Sequence, residues 1–522
     1  MAQMTDTLAS KHEDDQRSTF AFLEAIESYD ERVDTIERID THASVVFLAG
    51  DHAYKLKRAV RFSYLDFSTV ALREASCRAE LALNGRTAPE LYLSVRSITR
   101  TNDGHLSFDG AGETIDWVVV MVRFDQGLLF DRMAERGALD ARLMERLSAE
   151  IASFHAEAER LPQVGGRATI DMEITGNEQN LALAPPQTFA HHDVSALVAS
   201  WRAEWERYGA LLDRRSKRGE VRRCHGDLHL RNIVLLNGRP TLFDCIEFNE
   251  HLSCIDVLYD MAFLLMDLRY RSLDGFANQA FNAYLDRSDE TDGIAMLPLM
   301  MSLRAAIRAH TGVAAAKSQV DEREQQTKLS EARAYLTLSE RLMRDEQPRL
   351  IAIGGLSGTG KSTLARTIAA EVGRAPGSRI FHTDAVRKRL YGVAKDERLA
   401  ADAYQPAVSE RVYRTARENA AATLRAGWTV IVDGVFAQAE ERVAIEAIAR
   451  DCGVPFTGLW LHAADGILRD RIMQRRDDMS DATVSVLERQ LHSSLGKIDW
   501  LTIDAAGIPA DCAALARCAL GR

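Results

Sequence analysis

The sequence predicts two domains, an N-terminal one of α+β class and a C-terminal one of α/β class built on a doubly wound parallel sheet. A chain of 522 residues is too long for one ordinary hydrophobic core. Pro348 ends a long charged helical stretch, because proline cannot continue a helix. Strands and helices alternate after it, which is typical of a parallel sheet covered on both faces. The predicted division is a polar tail and first helix over 1–34, one domain over 35–345 and another over 349–522.

The elements of the N-terminal domain follow from apolar periodicity and turn signals. Residues 36–60 contain strand-like runs with a turn at Ala49-Gly50-Asp51. The other predicted elements are a helix over 67–84, a buried strand over 117–124, helices within 131–160, short strands and turns over 221–260, and helices within 297–345.

The C-terminal domain contains five apolar runs, each followed by a helical pattern. The predicted strands are RLIAIGG, RIFHTD, TVIVDG, FTGLWLHA and DWLTIDAAG. The predicted helices are GKSTLARTIAAEVG, a helix from Ala385, ERVAIEAIARDCG, DGILRDRIMQRR and PADCAALARCALG.

The net charge of −11 is unevenly distributed along the chain. Residues 349–522 hold 24 Lys and Arg against 21 Asp and Glu, whereas residues 1–348 hold 41 against 55. An acidic N-terminal part argues against non-specific nucleic-acid binding and would suit a cationic substrate.

The cysteines and the first 20 residues of the sequence indicate the cellular compartment of the protein. Seven scattered cysteines without a CxxC pair indicate a reducing compartment and argue against a zinc site. The first 20 residues have no signal-peptide shape and predict a frayed polar tail. No apolar run is long enough to span a bilayer, so the predicted location is the cytoplasm, without a membrane partner.

Residues 355–362, GLSGTGKS, fit the phosphate-binding pattern GxxxxGK[ST] between an apolar strand and a helix. The glycines turn backbone N–H groups toward phosphate oxygens, the lysine reaches the β- and γ-phosphates, and the serine hydroxyl holds Mg²⁺. The predicted nucleotide-binding residues are Gly355, Ser357, Gly358, Thr359, Gly360, Lys361, Ser362 and Thr363.

Two acids end neighbouring strands of this domain. Asp433 ends TVIVDG, where a Mg²⁺-associated acid lies in such proteins, although a plain turn or helix cap is the alternative. Asp384 ends the second strand, at the sheet edge that faces the ligand crevice. It would accept a proton from a substrate hydroxyl, or instead form the N-cap of the next helix.

Arginines at helical spacing follow in LRDRIMQRRDDMSDA. Arg471, Arg475 and Arg476 would close over ATP and stabilise charge on the transferred phosphoryl group, and a solvated basic face is the alternative. The order of these features resembles the small P-loop kinases that phosphorylate metabolites or polynucleotide 5′-ends. The resemblance covers residues 349–520 and implies that Asp384 is the general base and Arg387 a substrate contact.

A second phosphotransferase pattern lies at residues 225–232, HGDLHLRN, which fits HxDxxxxN. In kinase-like folds the Asp of this loop accepts the hydroxyl proton and the Asn holds a metal ion. Asp227 and Asn232 have that spacing, and Asp244 ends the next strand, where a kinase places a metal-binding Asp. His225 and Asp260 are expected to support the loop.

This region, over roughly 35–310, closely resembles the aminoglycoside phosphotransferase family, through HGDLHLRN, IASFHAEA and YDMAFLL. The resemblance implies a two-lobed protein-kinase-like fold, with the small lobe over about 35–125 and the large lobe over about 126–345. It implies that Lys55, or next Lys57, binds the ATP phosphates and that Glu80, or alternatively Glu74, pairs with it. WVVVMVRFDQG would contact adenine.

The family's glycine-rich loop is missing before AYKLKR, where DTHASVV stands instead. Thr41, His42 and Ser44 would cover the phosphates there. Four acids after the metal site would line a pocket for a cationic hydroxyl substrate or simply face solvent: Glu247, Glu250, Asp256 and Asp267.

Together these patterns predict a cytoplasmic bifunctional kinase that uses ATP and Mg²⁺ to phosphorylate small hydroxyl compounds. Three alternatives remain from the residues. The N-terminal domain would be a ligand-sensing pseudokinase; the C-terminal domain would be a polynucleotide 5′-kinase, against which its near-neutral charge speaks; or the chain would be a non-enzymatic ATP-dependent interaction switch.

Overall fold

The structure is a computed structural model that describes residues 16–62, 64–288, 290–317, 319, 321–393, 397–474 and 483–521. Its chain forms two compact units. The N-terminal unit comprises Met1–Asp267 and Leu303–Leu336, and the C-terminal unit comprises Leu268–Ser302 and Thr337–Arg522. The chain therefore enters the C-terminal unit at Leu268, returns to the N-terminal unit over Leu303–Leu336 and enters the C-terminal unit again at Thr337. The predicted domain boundary between 345 and 349 stays a prediction.

The N-terminal unit begins with a six-stranded antiparallel sheet in the order β1-β2-β3-β6-β4-β5. Its strands are β1 (Ile36–Asp40), β2 (Ser44–Ala49), β3 (His52–Lys57), β4 (Tyr92–Arg100), β5 (Leu106–Phe108) and β6 (Glu113–Val122). The helix Val70–Asn84 connects β3 to β4, and the side chain of Thr69 caps it by accepting from the N–H of Leu72. A sheet with one helix behind it matches the predicted small lobe.

The helix Arg17–Glu24 is fixed to this sheet rather than frayed. The Gln16 side chain is buried, and its amide nitrogen donates to Lys57 O at 2.9 Å and to Asp116 Oδ2 at 2.8 Å. Leu23 lies in the core of the sheet. The expectation of a polar tail is thus wrong for residues 16–20, because buried amide hydrogen bonds offset the loss of hydration.

The rest of the N-terminal unit is mainly helical. Four short strands accompany the helices: β7 (Val221–Arg223), β8 (Ile233–Leu236), β9 (Arg239–Leu242) and β10 (Cys254–Asp256). The helices are Phe130–Glu135, Ala141–Glu157, Arg167–Ala182, His191–Lys217, Glu250–Ser253, Val257–Tyr270, Leu297–Lys317 and Glu322–Leu342. Of these, Val257–Tyr270 continues into the C-terminal unit, Leu297–Lys317 begins there and Glu322–Leu342 ends there. Sequence reasoning missed Arg167–Ala182 and His191–Lys217.

The C-terminal unit contains a five-stranded parallel sheet in the order β12-β13-β11-β14-β15, as predicted for a doubly wound fold. The strands are β11 (Leu350–Gly354), β12 (Arg379–His382), β13 (Val430–Asp433), β14 (Phe456–His462) and β15 (Leu501–Asp504). The helices after Gly360 are Lys361–Ala369, Thr383–Leu390, Pro406–Arg425, Ala439–Asp451, Asp465–Gln474, Val484–Leu491 and Pro509–Leu520.

Both faces of this sheet are buried. Alternate residues of β11 enter opposite apolar layers: Ile351 and Ile353 lie in one, and Leu350 and Ala352 lie in the other. Sequence reasoning missed the helix Pro406–Arg425, which covers one of these layers. Among the described helices, none combines the length and the hydropathy that a bilayer span requires.

The second strand ends two residues earlier than predicted, and this changes the position of Asp384. Strand β12 stops at His382, and the next helix begins at Thr383 rather than at Ala385. Asp384 is therefore in the first helical turn and is not the N-cap, which is His382. Its carboxylate is placed where the helix dipole favours a negative charge.

An ion pair ties β12 to the helix Asp274–Leu285 within the C-terminal unit. The guanidinium of Arg379 is buried and donates to Asp286 Oδ1 at 2.7 Å and to Asn282 Oδ1 at 3.0 Å. Asn282 Oδ1 also accepts from the N–H of Ile380 at 2.8 Å, and Asn278 donates to Ser378 O at 3.0 Å. The strand that leads to Asp384 thus depends on a helix that precedes Pro348 in the chain.

We expect Asp286→Ala to lower the free energy of unfolding of the C-terminal unit by about 3–5 kcal/mol, because it leaves Arg379 buried without its counter-charge. Chemical denaturation of the full chain measures this change. Glu371→Ala is the matched control, since it breaks the exposed pair of Glu371 with Arg517 and should cost at most about 1 kcal/mol. Equal losses of unfolding free energy in the two variants would contradict a larger contribution from the buried pair than from the exposed pair.

Candidate active sites

The loop that carries Asp227 is held by one buried carboxylate. Asp260 accepts the N–H of Gly226 at 2.8 Å and the N–H of His225 at 3.1 Å, and its Oδ2 lies 3.0 Å from His155 Nε2. The ring nitrogen His225 Nε2 lies 2.9 Å from Phe243 O. His225 and Asp260 thus support the loop, as expected. Gly226 has φ +84°, and a Cβ there would lie 2.8 Å from Leu252 O, so the position requires glycine.

Asp227 and Asn232 are adjacent within this loop. The amide nitrogen of Asn232 donates to Asp227 Oδ2 at 2.9 Å, which leaves the amide oxygen as the atom that would face a cation. His229 Nε2 lies 3.3 Å from the same Oδ2. Desolvation opposes ionisation, but His229 and Arg308 outweigh it and hold the pKa of Asp227 below its ordinary value. Asp227 is therefore a carboxylate at neutral pH and able to accept a proton.

Lys55, on β3, pairs with two carboxylates of the N-terminal unit, Glu80 and Asp244. Its Nζ lies 2.7 Å from Glu80 Oε1 and 2.5 Å from Asp244 Oδ1. Burial lowers the pKa of Lys55, but Asp244 and Glu80 outweigh it and keep the pKa well above its ordinary value. Asp244 has φ +59°, a conformation that is uncommon outside glycine and that occurs at functional sites. Glu80 is therefore the partner of Lys55; Glu74 instead pairs with Arg78 on the same helix.

The ammonium group of Lys57 is buried between two carboxylates. It forms ion pairs with Glu80 and Glu247, and all three side chains are buried. Of the two candidate lysines, Lys55 is thus the one next to Asp244, and Lys57 completes the ionic cluster behind it. We call Lys55, Lys57, Glu80, Asp244 and Glu247 the lysine cluster.

The four acids considered for a cationic substrate are all engaged within the N-terminal unit. Glu247 belongs to the lysine cluster, and Glu250 lies 2.8 Å from Arg223. Asp256 receives two hydrogen bonds from Arg215, at 2.8 and 2.9 Å. Asp267 accepts the N–H of Leu230 at 3.0 Å. The interpretation of these residues as simple surface acids is therefore wrong for Glu247, Asp256 and Asp267, which are buried.

The turn before Lys55 lacks glycine but is well formed. Thr41 Oγ1 donates to Ser44 O at 2.8 Å and accepts from the N–H of Ser44 at 2.9 Å. Thr41 and His42 are exposed, whereas Ser44 is buried at the start of β2. The Thr41 hydroxyl thus serves the turn itself, and covering of phosphates by Thr41, His42 and Ser44 stays a prediction.

In the C-terminal unit, Gly355–Gly360 form the loop between β11 and the helix Lys361–Ala369. Gly355 has φ +141°, and a Cβ there would lie 2.4 Å from Leu461 O. Gly358 and Gly360 also have positive φ. Lys361 Nζ donates to Leu356 O at 3.0 Å. Positive φ at these glycines suits a loop whose backbone N–H groups turn toward phosphate oxygens, and phosphate binding there stays a prediction.

Asp433 lies beside Ser362, at the helix N-terminus. Burial raises the pKa of Asp433, but His382, Ser362 and Lys361 outweigh it and hold the pKa below its ordinary value. Asp433 Oδ1 lies 2.8 Å from His382 Nδ1, while Oδ2 is buried without a hydrogen-bond partner among the described residues. An orphaned carboxylate oxygen next to a serine hydroxyl fits Mg²⁺, which prefers oxygen ligands. Asp433 and Ser362 would hold the ion, which when bound would neutralise charge on the phosphates.

Two predicted residues of this site occupy contrasting surroundings. Asp384 is half-buried in the first helical turn after β12. Arg387 is buried, donates to Ala403 O at 2.6 Å and to Ser409 Oγ at 3.4 Å, and stacks on Tyr404. Arg387 thus braces its own unit, and its contact with substrate stays a prediction.

The candidate lid arginines are only partly described. Arg471 is half-buried and donates to Ala506 O and Gly507 O at 3.4 Å, after β15. Arg475 and Arg476 lie outside the described residues, so their roles stay predictions.

Sequence reasoning missed two polar contacts to the nucleotide loop region. Gln490, in the helix Val484–Leu491, accepts the N–H of Ser357 at 2.9 Å. His382 contacts Asp433, as given above. Neither residue belongs to a motif, but His382 was marked by its place at the end of a strand beside another strand-ending acid.

Each site combines a lysine, a candidate proton acceptor and side-chain oxygens suited to a cation, which is the set of groups that a kinase uses. Comparison with known families agrees. Residues 40–297 match the model of the phosphotransferase enzyme family, and residues 350–494 match that of an AAA domain. The chain is therefore a fusion of a phosphotransferase-family domain with an AAA-type P-loop domain, as predicted.

Proteins similar to this chain are found both among sequences and among solved structures. The chain is 29% identical over 483 residues to an uncharacterized protein of Mycobacterium tuberculosis (strain ATCC 25618 / H37Rv) and likewise to one of Mycobacterium bovis, covering 90% of this chain and 92% of each relative. Among solved structures, a choline/ethanolamine kinase family protein from Mesorhizobium loti matches 63% of this chain and 99% of its own, with 14% identity and TM-score 0.36. A gluconokinase from Sinorhizobium meliloti 1021 matches 34% and 94%, with 23% identity and TM-score 0.25.

Proposed function

We propose that the chain is a bifunctional, ATP-dependent kinase of the cytoplasm that phosphorylates hydroxyl groups of two small molecules, one at each site. The observation that carries the proposal is the complete N-terminal constellation, in which Lys55 contacts Glu80 and Asp244 while Asp227 contacts Asn232. A pseudokinase has no need to keep every one of these groups in contact. The phosphate-binding loop with Ser362 and Asp433 supports the second activity.

The reaction proposed for the N-terminal site is a direct phosphoryl transfer. The acceptor hydroxyl gives its proton to Asp227 while its oxygen bonds to the γ-phosphorus of ATP. The bond from that phosphorus to the β–γ bridging oxygen breaks, and ADP leaves with the electron pair. In the C-terminal site Asp384 takes the place of Asp227, and Lys361 balances charge on the phosphates. Catalysis at both sites is mainly positioning and charge stabilisation.

The acceptors themselves are proposed only as small hydroxyl compounds. A positively charged acceptor for the N-terminal site rests on the acidity of residues 1–348, because the four nearby acids are already paired. Nucleic acid as acceptor is disfavoured by the near-neutral charge of residues 349–522.

The test is transfer of radiolabelled γ-phosphate from ATP into a metabolite extract, followed by mass identification of the labelled products. We expect Asp227→Ala and Lys361→Ala each to remove a different product and to leave the other. The double variant is the control for contaminating kinases. If Lys361→Ala removes every product and Asp227→Ala removes none, the N-terminal domain is not a kinase and the bifunctional proposal fails. Labelling of a 5′-hydroxyl oligonucleotide that requires Lys361 would replace the small-molecule acceptor of the second site.

A further inference from the structure

The contact between His382 and Asp433 is set by the register of the parallel sheet. The two residues are direct partners where β12 and β13 end. Side chains at paired positions of neighbouring strands lie on the same face, about 5 Å apart at the backbone. A histidine and an aspartate in this register are therefore brought together by the sheet itself rather than by a flexible loop.

The geometry of the pair leaves one carboxylate oxygen unused. His382 Nδ1 lies 2.8 Å from Asp433 Oδ1, and the side chains are 11% and 4% exposed. An ionised carboxylate only accepts, so Nδ1 carries the hydrogen of this bond. Asp433 Oδ2 is buried and has no hydrogen-bond partner among the described residues. The hydrogen bond to Oδ1 restrains rotation of the carboxylate group, while the Ser362 hydroxyl is a second polar neighbour of Asp433.

We propose that His382 is a positioning residue of the C-terminal site: it donates from Nδ1 to Asp433 Oδ1 and thereby reserves Oδ2 for Mg²⁺. The inference rests on the proposed function of that site and assigns a role to a residue outside the phosphate-binding pattern. Residues that orient a metal ligand through a hydrogen bond commonly contribute 10- to 100-fold to metal affinity. His382 itself would touch neither ATP nor the ion.

The experiment compares His382→Asn, His382→Gln and His382→Leu in the full chain. The amide nitrogen of Asn stands at the same distance along the side chain as Nδ1, that of Gln at the distance of Nε2, and Leu has no donor. All variants also carry Asp244→Asn, which is expected to weaken Mg²⁺·ATP binding at the N-terminal site. Calorimetry with a non-hydrolysable ATP analogue measures the Kd at a series of Mg²⁺ concentrations and in EDTA.

The expected result is that the Mg²⁺ concentration for half-maximal tightening rises at least about 10-fold in His382→Leu and His382→Gln and much less in His382→Asn. The Kd in EDTA should stay the same in all of them. Equal Mg²⁺ dependence across the variants would overturn the inference, and so would an equal weakening in EDTA, which would indicate a structural role. If the protein with His382 intact shows no Mg²⁺-dependent binding that requires Lys361, it is the proposed function that fails. Should His382→Leu unfold, the comparison of Asn with Gln decides.

Discussion

Glu80→Ala is expected to lower the free energy of unfolding of the N-terminal unit by about 3–5 kcal/mol and to abolish phosphoryl transfer that depends on Asp227. The Glu80 side chain is fully buried and contacts both Lys55 and Lys57. Its removal leaves two buried ammonium groups with one carboxylate fewer, which is the situation in which breaking a buried ion pair is most costly. Kinase-type catalysis also requires the pair of lysine and glutamate to be in place. Denaturant unfolding and product-resolved transfer assays measure the two effects.

Glu74→Ala is the matched control, because Glu74 lies on the same helix and pairs with exposed Arg78. We expect the free energy of unfolding to change by about 0.5 kcal/mol or less and the activity to be complete.

The pH dependence of the unfolding free energy gives a second check on the role of Glu80. Burial raises the pKa of Glu80, but Lys55 and Lys57 outweigh it and lower the pKa from 4.5 to about 2. The stabilisation by Glu80 is thus present above pH 4.5 and is lost as the pH falls toward 2, and this acid loss should shrink in Glu80→Gln. Similar results for Glu74→Ala and Glu80→Ala would refute the assigned pairing.

Gly355→Ala is expected to weaken ATP binding by the C-terminal site by roughly 100-fold. The added Cβ would lie 2.4 Å from Leu461 O, a backbone atom that no change of rotamer can move. The φ of +141° is also outside the range that alanine readily adopts. Relief of the clash requires the loop or β14 to shift, at a cost of about 3 kcal/mol. This corresponds to a loss of roughly 100-fold in ATP affinity, measured by calorimetry.

The control for this substitution is Gly466→Ala, in the first turn of the helix Asp465–Gln474. A Cβ at Gly466 meets no atom within 4 Å, and its φ is not positive. We therefore expect unchanged ATP affinity and a small gain in stability, of about 0.4–1 kcal/mol. Retention of normal ATP affinity in Gly355→Ala would mean that phosphates do not bind in the loop conformation described.

Several parts of the fold were predictable because each rests on local sequence. The alternation of apolar runs with helical patterns predicted the five parallel strands, and β11 obeys it with residues buried on both faces. The spacing of Asp227 and Asn232 within one short loop predicted their contact. Where signals were weak, prediction failed: the helix Arg167–Ala182 buries few residues, so its apolar stripe is thin. The end of β12 was misplaced because Thr383 and Asp384 suit either a strand end or a helix start.

Contacts between segments far apart in the chain could not be predicted from local sequence patterns. The choice of Lys55 over Lys57 as the lysine nearest Asp244 depends on which side chain reaches a residue 189 positions away. Both lysines lie on one face of β3, so periodicity could not separate them. In the same way, the engagement of Glu247, Asp256 and Asp267 inside the N-terminal unit could not be inferred from their acidity.

The sequence alone therefore determined that this chain joins two phosphotransferase-type domains, because glycine spacing, loop motifs and strand periodicity are local properties. Only the tertiary structure decided that Glu80 bridges two lysines, that His382 holds Asp433, and that Arg379 ties β12 to a helix before Pro348. The reason is physical. A buried charge is stable only with a partner, and the partner is chosen by the packing of segments far apart in the chain, which no local pattern encodes.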